Sequence, residues 1–128
     1  MPKLTEEVLA AIEKTTPTCI ATASPDGFPN IVYVTYIKAV DKDTLVVADN
    51  KFDKTRRNLD ANPCMSVVVF DPDERKSYQM KCRAECVAEG ERFHGVVDWV
   101  HADHPQMTPK AAFFLTVEEV YCGPDRLS

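Results

Sequence analysis

Residues 49–63, Asp-Asn-Lys-Phe-Asp-Lys-Thr-Arg-Arg-Asn-Leu-Asp-Ala-Asn-Pro, leave the backbone little choice: a strand must run straight into a short basic helix. The strand is Leu45-Val46-Val47-Ala48, and the helix spans residues 54–62. Asn62-Pro63 stops it, because the residue before a proline disfavours helical angles. Asp53 stands where an N-cap belongs, so the free N–H groups of the first turn, the Lys54 ammonium and the Thr55 hydroxyl would converge on one anion such as a phosphate. Arg56 and Arg57 also fall in the first turn, where the helix dipole disfavours cations and a bound anion would compensate them. A solvated helix with ordinary capping accounts for the same residues, and Asp53 would set a like charge near any phosphate.

A chain of 128 residues suits one domain, 1–128, large enough to bury a core without disulfides. Hydrophobic content of 45% with 27% charged residues describes an ordinary globular protein. A net charge of -5 argues against a general nucleic-acid binder. The N-terminal Met-Pro-Lys-Leu-Thr-Glu-Glu has no apolar core of signal-peptide length, and no apolar run approaches a membrane span, so a cytoplasmic protein is expected. Cys19, Cys64, Cys82, Cys86 and Cys122 are odd in number and widely spaced. They should be reduced thiols, mostly buried in strands.

Thr5-Glu6-Glu7 reads as a helix start, with Val8, Leu9 and Ile12 along one side until Lys14 and Pro17. Residues 18–24 read as a strand, Pro25-Asp26-Gly27 as a turn, and residues 29–40 as one longer strand, the two forming a hairpin. Asp41-Lys42-Asp43 supplies the next turn. Residues 65–70 form an unbroken apolar strand and residues 76–88 a half-buried one, with Tyr78, Met80, Cys82, Ala84, Cys86 and Ala88 on one side. Phe93, Val96, Val97 and Val100 predict an amphipathic helix over residues 91–102, and residues 112–121 a final strand. The resulting fold class is mainly β (α+β): about six antiparallel strands in a small split barrel with short flanking helices, since closure removes exposed edges.

In this order the motifs resemble the pyridoxamine-phosphate-oxidase-like split-barrel flavoproteins, in particular their small FMN-binding members. The resemblance rests on Ala21-Thr22-Ala23-Ser24-Pro25-Asp26-Gly27-Phe28-Pro29-Asn30 as the first hairpin and Leu45-Val46-Val47-Ala48 as the next strand. Lys54-Thr55-Arg56-Arg57-Asn58-Leu59-Asp60-Ala61-Asn62-Pro63 follows, and Met80-Lys81-Cys82-Arg83-Ala84-Glu85 lies in the long strand. It implies a homodimer with two FMN sites at the interface, the phosphate held by the basic helix start and the ring lying along strand residues. Lys54 and Thr55 match the family's phosphate-binding pair. The run from Asn30 matches the ring-lining strand, making Asn30, Val32, Val34 and Thr35 candidate cofactor contacts, with Val47, Ala48, Asp49 and Asn50 on the neighbouring strand end. A slip of one residue would exchange the faces. Residues 30–40 supply only Lys38 as a cation, fewer charged partners than the family's best-known oxidase provides.

The activity this implies is an FMN-dependent oxidoreductase that passes electrons from a reduced nicotinamide cofactor or a protein donor to a small acceptor. Hydride passes directly to the flavin, so no catalytic side chain is named. The alternatives are a non-catalytic FMN-binding or electron-transfer protein, a family member using haem or a deazaflavin, and an empty barrel that only dimerises. His94, Asp98, His101, Asp103 and His104 can be drawn as a metal cluster, but they read better as the polar side of a helix, and no metal is expected. Cys82 and Cys86 share a strand face, too far apart for a disulfide, and read as core. Trp99 reads as packing or dimer contact.

Overall fold

The computed structural model describes residues 2–128. The Thr5 hydroxyl accepts from the Val8 N–H and opens helix α1 (Glu6–Lys14), with Glu6 and Glu7 at its positive end and Lys14 at its negative end. Val8, Ala11 and Ile12 face inward, and Lys14 reaches Asp71 and Asp73 at 3.1 and 3.0 Å, fastening the helix to the far turn of the sheet. Strands β1 (Thr18–Ala23) and β2 (Pro29–Val34) form the expected hairpin. Its turn needs the positive φ of Gly27, 87°, and closes with the Gly27 N–H donating to the Ser24 carbonyl.

The single strand expected over residues 29–40 is instead two, β2 and β3 (Ile37–Ala39), and the division closes the barrel. Strands β4 (Thr44–Asp49), β5 (Cys64–Asp71), β6 (Lys76–Val87) and β7 (Ala111–Cys122) complete a sheet ordered β2-β1-β5-β6-β7-β4-β3. Its first and last members are consecutive in the chain and joined only by Thr35-Tyr36, so the sheet must curl until its two ends meet. With the two-residue β8 (Asp125–Arg126) on β7, the strands number eight rather than six.

The barrel interior holds Ile20, Leu45, Val47, Met65, Val67, Val69, Met80, Phe113 and Leu115, all 2% exposed or less, and α1 plugs one end. A second cluster lies outside the barrel, where Val46, Ala48, Ala112 and Phe114 meet Val96 and Val100 of helix α3 (Glu91–Asp103). Strand β4 is therefore buried on both faces, which its uninterrupted apolar run requires. A bulge between Lys81 and Cys82 leaves Glu118 unpaired on β7 and switches which side chains of that strand point inward, from Val120 to Val117, Leu115 and Phe113.

Two expectations for the cysteines are corrected. Only Cys82 is buried, its thiol pushed up to about 12 by desolvation and the nearby Glu118 charge; Cys19 and Cys122 are half-buried and Cys64 and Cys86 exposed. Cys86 is exposed although it still pairs with Phe113, and Ala88 is exposed one residue beyond β6. All five thiols are free. Among the described residues no helix is long and apolar enough to cross a membrane, and no group of His, Cys, Asp and Glu is placed to hold a metal ion.

Candidate functional site

Helix α2 (Lys54–Ala61) follows β4 after four residues, as the sequence requires. What holds this junction is Asp49. Its carboxylate is fully buried, accepts the Phe52 N–H at 2.9 Å and pairs with the Arg56 guanidinium at 3.1 Å. Burial works against the Arg56 charge, but hydrogen bonds to Asp49 and Asp60 outweigh it and hold its pKa above the ordinary arginine value. The Arg56 group also lies 5.5 Å from the Phe113 ring, against which Phe52 packs. From the other side Lys110 donates its backbone N–H to the Asp49 carbonyl and its ammonium to the Phe52 carbonyl.

Two readings of this segment change accordingly. Arg56 needs no bound anion to compensate it, since it has Asp49 and Asp60, whereas Arg57 has only the exposed Asp53 at 3.7 Å. Asp53 occupies the N-cap position but its side chain makes no capping hydrogen bond, so it satisfies none of the first-turn amides.

A groove of about 400 Å³ opens here between the end of β2, the end of β4, the start of α2 and Met107 of the loop after α3. Seven of the ten candidate residues line it: Val32, Val34, Thr35, Ala48, Asn50, Lys54 and Thr55. Asn30 lies just beside it, donating its amide to the Thr55 hydroxyl at 3.1 Å and to Thr22 at 3.3 Å. Asn58 donates to the same Thr22 hydroxyl, so one polar seam binds α2 to the hairpin. Thr55 accepts in this seam and keeps its own hydroxyl hydrogen for another partner.

Val47 and Asp49 do not reach the groove. Along β4 alternate side chains face opposite ways, and with Ala48 on the groove side Val47 falls into the barrel core. Asp49 is spent on Phe52 and Arg56.

The structure adds Tyr33, Tyr36, Lys51, Phe52, Asp53 and Met107 to the wall, Asp53 bringing the like charge that the sequence set near any phosphate. Tyr36 follows the candidate Thr35 in the link between β2 and β3, outside the strand alternation, and Met107 carried no signal because a loop brings it in. The Oδ1 atom of Asn50 is buried without a hydrogen-bond partner. An acceptor so placed costs free energy.

A split barrel with a mixed apolar and cationic groove where strand meets helix defines the class. The chain belongs to the pyridoxamine 5'-phosphate oxidase-like FMN-binding split-barrel family, and the family model "Pyridoxamine 5'-phosphate oxidase" matches residues 4–122. It is 35% identical to an uncharacterised protein of Methanocaldococcus jannaschii, over 96% of this chain and 85% of that one. Among solved structures it is similar to HupZ of Group A Streptococcus, with a TM-score of 0.82 at 23% identity, covering 93% of each chain. It is likewise similar to an FMN-binding protein of Syntrophomonas wolfei, with a TM-score of 0.80 at 17% identity over 91% of this chain and 84% of that one. The same fold is seen in the haem storage protein HutZ of Vibrio cholerae and in an F420 reductase, with TM-scores of 0.71 and 0.66.

Proposed function

We propose that the chain is a cytoplasmic, homodimeric flavoprotein that binds FMN non-covalently in this groove and passes electrons from a reduced nicotinamide cofactor or a protein donor to a small acceptor. The observation that carries this reading is a groove in which Lys54, Thr55 and the uncapped start of α2 stand beside an apolar wall of Val32, Val34 and Ala48. A flavin phosphoribityl group offers an anion for Lys54 and the first-turn N–H groups, and its ring offers an apolar face for the wall. When bound, the flavin supplies hydride and electron chemistry. Lys54, the Thr55 hydroxyl and the first-turn N–H groups hold the phosphate; Val32, Val34 and Ala48 form a dry wall. No histidine or cysteine lines the groove.

Dimerisation is supported by the outer face of β2, β1 and β5. Ile31, Tyr33, Val68 and Phe70 are 66, 72, 41 and 50% exposed on that face, with Tyr33 and Val68 both registered to Cys19. An apolar patch of this kind marks an interaction surface. Tyr33 also lines the groove, so a second copy seated there would border the cofactor. Five unpaired thiols suit a reducing compartment.

Haem in this groove would have no histidine ligand from this chain, because His94, His101 and His104 all lie on or just after α3 and none lines it. The decisive experiment is a visible spectrum of the purified protein, with mass analysis of any chromophore released by heat, then addition of FMN and of NADH or NADPH. Released FMN with reduction by a nicotinamide supports the oxidoreductase. Bound FMN that neither nicotinamide reduces favours the binding or protein-donor reading, a released deazaflavin reassigns the cofactor, and a colourless protein that takes up no FMN overturns the proposal.

A further inference from the structure

We infer that a second hollow, on the other side of Lys54 from the groove, is shaped for the second phosphate and base of a dinucleotide, so that the site takes FAD as well as FMN. This rests on the flavin reading above. Lys54 lines both concavities. The second, about 350 Å³, lies between the tip of the β1–β2 hairpin and the outer side of α2, with Phe28, Arg57 and Asn58 among its walls.

Three properties set its chemistry. First, Arg57 is available: its carboxylate neighbour Asp53 stands 3.7 Å away, and the two side chains are 71 and 81% exposed, a pair that water screens to little. A phosphate offers that guanidinium a better, bidentate partner. Second, Phe28 is 77% exposed and belongs to neither core cluster. A flat ring beside two cations is what a purine linked to phosphate stacks on. Third, the hollow is held rigid, since the Asn58–Thr22 and Asn30–Thr55 hydrogen bonds fix its two walls to each other. A flavin monophosphate is satisfied at Lys54 and the α2 amides, which leaves Arg57 and Phe28 unused; a dinucleotide places its second phosphate one linkage further and its base beyond that.

The test is titration of flavin-free protein with FMN and with FAD, followed by flavin fluorescence, for the wild type, Arg57→Ala and Phe28→Ala. Both positions are exposed and outside the core, so the variants fold. FAD is expected to bind at least as tightly as FMN. Arg57→Ala should weaken FAD about tenfold and Phe28→Ala about fivefold, with FMN changed by no more than about twofold in either. Wild-type protein that binds FMN but holds FAD more than about tenfold less tightly, or an Arg57→Ala variant that loses both flavins equally, overturns the inference and leaves FMN binding standing. Wild-type protein that binds neither flavin removes the flavin reading, and this inference with it.

Discussion

The Tyr36 hydroxyl donates to the Asp103 carboxylate at 2.5 Å and so ties the wall of the groove, at the crossing between β2 and β3, to the last turn of α3. That hydrogen bond, with burial and the carboxylate charge, holds the Tyr36 phenol above its ordinary value of 10.0. A group whose folded pKa is raised contributes stability that is complete below its unfolded pKa and is lost as pH rises through the folded one. Denaturant midpoints measured from pH 9 upward should therefore fall above about pH 10. Tyr36→Phe should flatten part of that fall. Tyr121, raised in the same sense by Glu119, would account for what remains. A Tyr36→Phe variant with an unchanged alkaline profile would show that the pair does not persist in solution.

Trp99, the chain's one tryptophan, meets Tyr36 edge to face with centroids 5.9 Å apart and has the Lys38 ammonium 4.3 Å above its ring. It lies one residue behind the groove wall, close enough to report on what fills it. Adding FMN to flavin-free protein should quench Trp99 emission saturably, at the same midpoint as the flavin's own fluorescence change. Two different midpoints would place the flavin elsewhere.

Asp49 offers a test of how the groove is built rather than what it touches. Asp49→Asn removes a fully buried charge and leaves Arg56 with Asp60 alone. Breaking a wholly buried pair costs roughly 3–5 kcal/mol, but the Arg56 side chain is 32% exposed, so the loss here should be about 2 kcal/mol. The turn that aims the first amides of α2 loosens with it. FMN should then weaken more than riboflavin, which has no phosphate to lose contact with. Equal loss for both would make Asp49 a stability residue only.

Much of this fold was legible because its signals are local. The Asp53–Pro63 segment carries its own start and stop, Gly27 its own turn, and α1 its own cap. Residues 65–70 were legible as a strand but not in their faces, since the unbroken apolar run hides the alternate burial along β5 that leaves Val68 and Phe70 exposed on the outer face. What escaped reading depends on partners distant in sequence. Residues 29–40 are continuous in β-propensity, and only the pairing of β2 with β1 and of β3 with β4 divides them. The bulge at Glu118 exists only relative to β6. In the site, Val47 and Asp49 were named with their neighbours because register cannot be read from one strand, and β4's burial on both faces erased the alternation that would have separated them.

The exposed face of β2, β1 and β5 yields the last prediction. Val68 and Ile31 point away from the barrel core, so a charge at either position leaves the monomer's interior intact. Val68→Lys, or Ile31→Lys, should convert the proposed dimer to monomer in sedimentation with the circular dichroism unchanged, because a lysine facing its own copy across a two-fold axis meets an unpaired charge. FMN affinity should fall in the same variants, by about tenfold if the partner covers one side of the ring beside Tyr33. A monomer that keeps full FMN affinity would confine the site to one chain, and a dimer that survives both substitutions would put the interface on another face.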